Sequence, residues 1–203
     1  MDNVLSRYEK DGLAFQRYGR VNQDGLGDDI LSGNSLALVG LYKAIYGINP
    51  LYNRLYLNPH LPEKLSGTEL IYNFRQEKLK IELATDNYSI SNKQFKITSK
   101  RDFGFYPEKN ELLYFDSKDD VYSLKVQTSS TISLDIVKWD TDEYTWLQSS
   151  TNEEGKIAYS LNVLKPNRLY TIYYGNRILN AKSDKNCVLK FEVKPGNKTI
   201  TLR

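Results

Sequence analysis

Apolar and polar positions change period at one place in this chain, and that change organises the rest. From about Asp29 to Tyr46, apolar residues fall on every side of a helical projection: Ile30, Leu31, Leu36, Leu38, Val39, Leu41, Tyr42, Ile45 and Tyr46. A helix that is apolar all round is a buried helix. Ser32, Gly33, Ser35, Ala37, Gly40 and Ala44 mark one side, where another helix can approach closely. Asp28 or Asp29 is placed to cap its start. Gly47 is placed to end it in a left-handed turn, and Pro50 blocks its continuation. The segment from Met1 to about Leu26 is polar and Gly-rich, too poor in apolar residues to surround the helix. The pattern predicts the tail of a larger protein whose helical body is absent.

From Leu51 the period becomes two. NRLYLNP alternates, with Leu55 and Leu57 on one face. GTELIYNFRQ, EKLKIELAT, NYSISN and QFKITS follow as short alternating runs, separated by turn signals at Gln76-Glu77, Asp86-Asn87 and Asn92-Lys93. They read as an antiparallel meander closing near Ser99. Residues 100–111 read as a Gly/Pro-containing connection. A second set follows, from LLYFDS to KTITLR, with a hairpin turn at Gly175-Asn176. Regular short strands without helix signals predict a β-sandwich. The expected fold class is mainly β, an N-terminal helical remnant followed by two small antiparallel β-sandwich domains. The expected division is a polar lead and helix over residues 1–50, a first sandwich over 51–101 and a second over 111–203.

Composition narrows the function classes. The chain has 203 residues, 40% hydrophobic and 26% charged, ordinary values for a globular protein. A net charge of +3 with no basic stripe speaks against nucleic acid. No apolar run is long enough to cross a membrane, and MDNVLSRYEKDG lacks the regions of a signal peptide. Sixteen tyrosines stand against seven Phe and two Trp. They suit half-buried strand positions, with stacking on sugar rings as the alternative. The single cysteine, Cys187, excludes an internal disulfide and reads as a buried or half-buried strand residue in NCVLKFEV. His60, the one histidine, is remote from it in sequence.

The stretch YGINPLYNRLYLNPHLPEKLSGTELIYNFRQEKLKIEL resembles the C-terminal edge of the (α/α)6-barrel glycoside hydrolases and phosphorylases, the maltose-phosphorylase-like and α-rhamnosidase-like group. There the last barrel helix ends in a G-I-x-P turn, then come a strand, an xPxLP corner and a small β-sandwich. Gly47-Ile48-Asn49-Pro50 and Asn58-Pro59-His60-Leu61-Pro62 match that order, and the likeness covers roughly Gly27 to Ser99. The end of the chain, from LKPNRLYTIYYG onward, is similar to the terminal immunoglobulin-like module of many bacterial carbohydrate-active enzymes. The resemblance implies a non-catalytic region that buttresses a helical barrel and shapes its substrate cleft. It also implies a periplasmic or extracellular parent. The family's catalytic carboxylates lie mainly in the part absent here, so no activity is expected of this chain alone.

Candidate chemistry is sparse. A glycosidase needs two carboxylates about 5–5.5 Å or about 6.5–9.5 Å apart. Asp28 and Asp29 would face the barrel mouth by the resemblance; as plain residues they cap a helix. Asn34 is a candidate substrate contact at the same mouth. Trp139, Tyr144 and Trp146 in KWDTDEYTW are candidates for stacking on sugar, or core residues with a hairpin cover. Asp140, Asp142 and Glu143 recur as in oxygen-rich calcium loops, without the EF-hand spacing. His60 reads as a corner residue, with no second ligand near. No cofactor or metal is expected. The expected partners are an oligosaccharide, the helical barrel, or a second copy held through the apolar helix. A carbohydrate-binding module using the Trp139–Trp146 loop and a surface assembly module are the alternatives.

Overall fold

The computed structural model describes residues 17–18, 21, 25–26, 39–40, 42–116, 119–152, 154–162 and 165–203. It divides into two compact units, Met1–Ile45 and Tyr46–Arg203. In the first unit β1 (Arg17–Tyr18) pairs antiparallel with β2 (Gly25–Leu26), and residues 39–40 are helical. Residues 42–46 are also helical and stop at Gly47, whose φ is +60°. The expected helix thus matches in its last turns and at its stop; its remainder lies outside the described residues.

The second unit is almost wholly β. Its strands begin with β3 (Ile48–Leu51), β4 (Arg54–Leu57), β5 (Thr68–Phe74), β6 (Glu77–Leu83), β7 (Tyr88–Ser91) and β8 (Phe95–Ser99). Next come β9 (Phe103–Glu108), β10 (Glu111–Asp116), β11 (Asp119–Gln127), β12 (Ile132–Trp139) and β13 (Tyr144–Ser150). The last are β14 (Ile157–Asn162), β15 (Leu169–Tyr174), β16 (Arg177–Lys182), β17 (Val188–Val193) and β18 (Lys198–Leu202). A 3-10 turn, Glu63–Leu65, separates β4 from β5. Sheet I has seven strands in the order β17-β14-β11-β10-β9-β4-β3. Sheet II has nine, in the order β16-β15-β18-β13-β12-β8-β7-β6-β5.

Period-two burial turns each sheet's apolar face inward. In β8, Phe95, Ile97 and Ser99 are buried while Lys96 and Thr98 are not; in β14, Ile157, Tyr159 and Leu161 are buried. One core cluster collects the inward residues of both sheets. Rings contact across the sandwich: Tyr88 on Phe103 at 6.0 Å, Tyr114 on Trp139 at 4.9 Å, and Trp146 on Tyr159 at 5.2 Å. Such pairs add about 0.5–1.5 kcal/mol each beyond area burial. The protein is therefore mainly β and sandwich-like.

The expected boundary near residues 101–111 is not a break in either sheet. Sheet I joins β10 to β9 and β4, and sheet II joins β12 to β8. The β8–β12 pairing is parallel, Ile97 opposite Leu134, where an antiparallel arrangement was expected. Two other departures concern single segments. The connection over 100–111 contains β9, whose Phe103 and Phe105 are buried in the core face while Gly104 lies under Tyr56 on the other. Cys187 precedes β17 in a turn with φ +65°, half-buried, and is not a strand residue.

Candidate functional site

Asp28, Asp29 and Asn34 lie outside the described residues. Trp139, Tyr144 and Trp146 are described, and their placement corrects the stacking expectation. They are 3%, 4% and 0% exposed. Alternation along β13 turns Tyr144 and Trp146 inward, and the register shift in β12 between Ile136 and Lys138 turns Trp139 inward. Trp139 meets Tyr114 and Tyr144 edge-on, at 4.9 and 5.0 Å, and Trp146 packs on Tyr159 and Phe191. A ring stacked on sugar needs an open face, and these faces are spent on the core.

What remains at the β12–β13 hairpin is charged. Arg101, from the loop after β8, donates from one guanidinium nitrogen to the Trp139 carbonyl at 2.8 Å and to Asp140 at 3.0 Å. Its other nitrogen meets Asp116 at 3.1 Å. One arginine fork thus ties a loop, the end of β10 and a hairpin tip. Glu143 pairs with Arg203 at 2.7 Å and with Lys138 at 3.7 Å. Arg203 holds its carboxyl below the ordinary range, outweighing an opposing effect of burial. Two of the loop's acids, Asp140 and Glu143, are thus answered by guanidinium and ammonium groups. Among the described residues no group of three or more His, Cys, Asp and Glu gathers as a metal cage.

A buried polar knot lies between the sheets. Gln148 is 1% exposed. Its amide donates to the carbonyls of Lys194 and Gly196, at 3.2 and 3.0 Å, and accepts from the Tyr159 hydroxyl at 2.8 Å. The Tyr174 hydroxyl donates to the same Lys194 carbonyl at 2.6 Å. Burial pushes the Tyr159 phenol well above its ordinary pKa, so it stays a neutral donor at physiological pH. Every polar atom of Gln148 is used, which makes this a structural clamp. Gln148 follows Tyr144 and Trp146 at period two, so the sequence carried the signal for its burial.

A groove of about 750 Å³ lies across the outer face of sheet I. A cross-strand row, Lys125, Ser160 and Lys190, runs through it, with Gln127 and Asn162 beside it. Lys125 and Gln127 both bind Glu111, at 2.6 and 2.9 Å. Burial pushes the Glu111 carboxyl up, but these two partners outweigh it and hold it below its ordinary range. His60 is exposed in the corner between two prolines. Comparison with protein-family models, curated proteins and solved structures found no match.

Proposed function

We propose that this chain is a non-catalytic β-sandwich region of a bacterial carbohydrate-active enzyme, where it buttresses a helical barrel and shapes the edge of its cleft. The observation that carries this reading is the helix-to-sheet junction. Helical residues 42–46 pass at Gly47 straight into the β3–β4 hairpin. The Gly47 carbonyl accepts from Asn58 N–H and from the Asn49 amide, both at 3.0 Å, and Asn49 also binds the Asn58 side chain at 2.6 Å. A Cβ on residue 47 would lie 2.1 Å from the Asn58 carbonyl oxygen. The Gly-Ile-Asn-Pro exit and the Asn-Pro-His-Leu-Pro corner, the two motifs of the sequence resemblance, are thus bonded to each other. A helix stop bonded to the sheet corner is the local feature that a seam between a barrel helix and a sandwich requires. The alternative that used the Trp139–Trp146 loop for binding is not carried forward, because those rings are buried.

Two experiments test the reading. Sequencing the DNA upstream of codon one is expected to show coding sequence for a helical barrel, in frame or separated by a frameshift; unrelated sequence there overturns it. The purified chain is expected to release nothing from a panel of aryl glycosides, with or without phosphate. Turnover by the pure protein would refute the non-catalytic assignment.

A further inference from the structure

We infer that the open edge of β5 is a homotypic docking edge, where a second copy of this chain adds its own β5 antiparallel, centred on Ile71. The edges of the two large sheets are β3, β17, β16 and β5. Edge strands expose unpaired backbone groups, and folded proteins guard them with short length, proline, charge or bulges. β3 has four residues and contains Pro50. β17 carries Lys190 and Glu192 and runs beside β16. β16 starts with Arg177 and ends with Lys182, so pairing with a second β16 would set like charges opposite at both ends.

β5 carries one charge, Glu69, and otherwise has none of these guards. It is seven residues long, Thr68–Phe74, has no Pro, Lys or Arg, and keeps an unbroken register with β6. Pairing with itself about Ile71 sets Ile71 against Ile71, Leu70 against Tyr72, Glu69 against Asn73 and Thr68 against Phe74. No like charges oppose, and the one acid is already bound to Lys80 at 3.1 Å. Leu70 and Tyr72 are half-buried at the end of the core, and Ile71 is 59% exposed. A second β5 would cover Leu70 and Tyr72 with an aliphatic–aromatic cross-strand pair on each side of the axis. The occupant is a second copy because the strand is complementary to itself in this register. This inference stands apart from the accessory reading above.

The test is sedimentation equilibrium of the full chain over a concentration series. A dimer of twice 23.5 kDa is expected. Ile71→Lys would oppose two ammonium groups at the axis and raise the dissociation constant about tenfold or more. Its melting temperature as a monomer is expected to hold, because the side chain is exposed. Ile178→Lys, an equal lesion on exposed β16, is expected to leave the dimer intact. In a Cys187→Ser background, Ile71→Cys should cross-link on oxidation, since directly opposed strand residues fall within disulfide range. A monomer at every concentration overturns the inference. So does a dimer unmoved by Ile71→Lys, one lost equally to Ile178→Lys, or one that never cross-links at residue 71.

Discussion

At the scale of the residue, two glycines with the same backbone sign separate strain from space. Gly47 and Gly67 both have positive φ, +60° and +88°. A Cβ on Gly67 meets nothing within 4 Å, whereas one on Gly47 meets the Asn58 backbone at 2.1 Å. Gly67→Ala should therefore cost about 1 kcal/mol, from conformation alone. Gly47→Ala should cost roughly 2–4 kcal/mol, because strain and steric overlap act together and the junction bonds must shift. Urea unfolding of the two variants measures the difference, and equal losses would remove the locked junction. Gln148 gives a second case. Gln148→Leu leaves the Gly196 carbonyl and the Tyr159 hydroxyl without this partner and the Lys194 carbonyl with Tyr174 alone, a loss of roughly 2–4 kcal/mol. Adding Tyr159→Phe should recover part of that loss, since the stranded hydroxyl is gone. Strictly additive losses in the double-mutant cycle would mean the two groups are not coupled.

At the scale of the element, the outer face of sheet II carries a charge ladder that makes a pH prediction. Glu69 lies directly opposite Glu82, a repulsive pair, and Lys80 binds both, at 3.1 and 2.6 Å. Lys96 binds Glu82 from β8 at 2.9 Å, and Ser89 donates to it from β7. Lys80, then Lys96 and Ser89, hold the Glu82 carboxyl down to about 2 from its ordinary 4.5. A lowered folded pKa stabilises above the unfolded value and is lost as pH falls through the folded one. The stability gap between the native protein and Glu82→Gln should thus close between pH 4.5 and about 2. A gap that stays constant over that window would show that the ladder does not select the carboxylate. The strands of this ladder were legible in the sequence, because alternation and turn residues marked β5 to β8 almost residue by residue. β9 was not: Phe103-Gly104-Phe105 is buried throughout and gives no period-two signal, and Gly104 and Pro107 mimic a loop. The β5–β6 hairpin tip is also atypical, since Arg75 and Gln76 take the left-handed conformation usually left to Asn and Gly. For the aromatic cluster, composition suggested stacking, while the spacing of Tyr144 and Trp146 across Thr145 already put both on one face. The Arg101 fork had no local signal, because its partners, Asp116 and the adjacent Trp139 and Asp140, lie far from it in the chain.

At the scale of the whole molecule, the expectation of two sandwiches and the observed sheets differ in one testable respect, cooperativity. Each expected half is rich in hairpins, and hairpins are what a local pattern can reveal. The contacts that fuse the halves are long-range: β12 lies parallel to β8, β9 joins β4 to β10, and Arg101 reaches both β10 and β12. A parallel pair needs a crossover, so no turn motif announces it. If those contacts make one folding unit, the molecule should show one calorimetric transition, and a lesion at the seam should weaken both sides equally. Ile97 and Leu134 face each other in the β8–β12 register, and both are fully buried. Ile97→Ala should therefore cost about 2–5 kcal/mol. Amide exchange is expected to quicken together in β6, on the first side, and in β14, on the second. Two resolved transitions, with Ile97→Ala moving only the one that contains β6, would mean that the halves fold separately and that the shared sheets are a docking of two domains. A single transition that shifts as a whole would make the seam the element that turns two hairpin arrays into one sandwich.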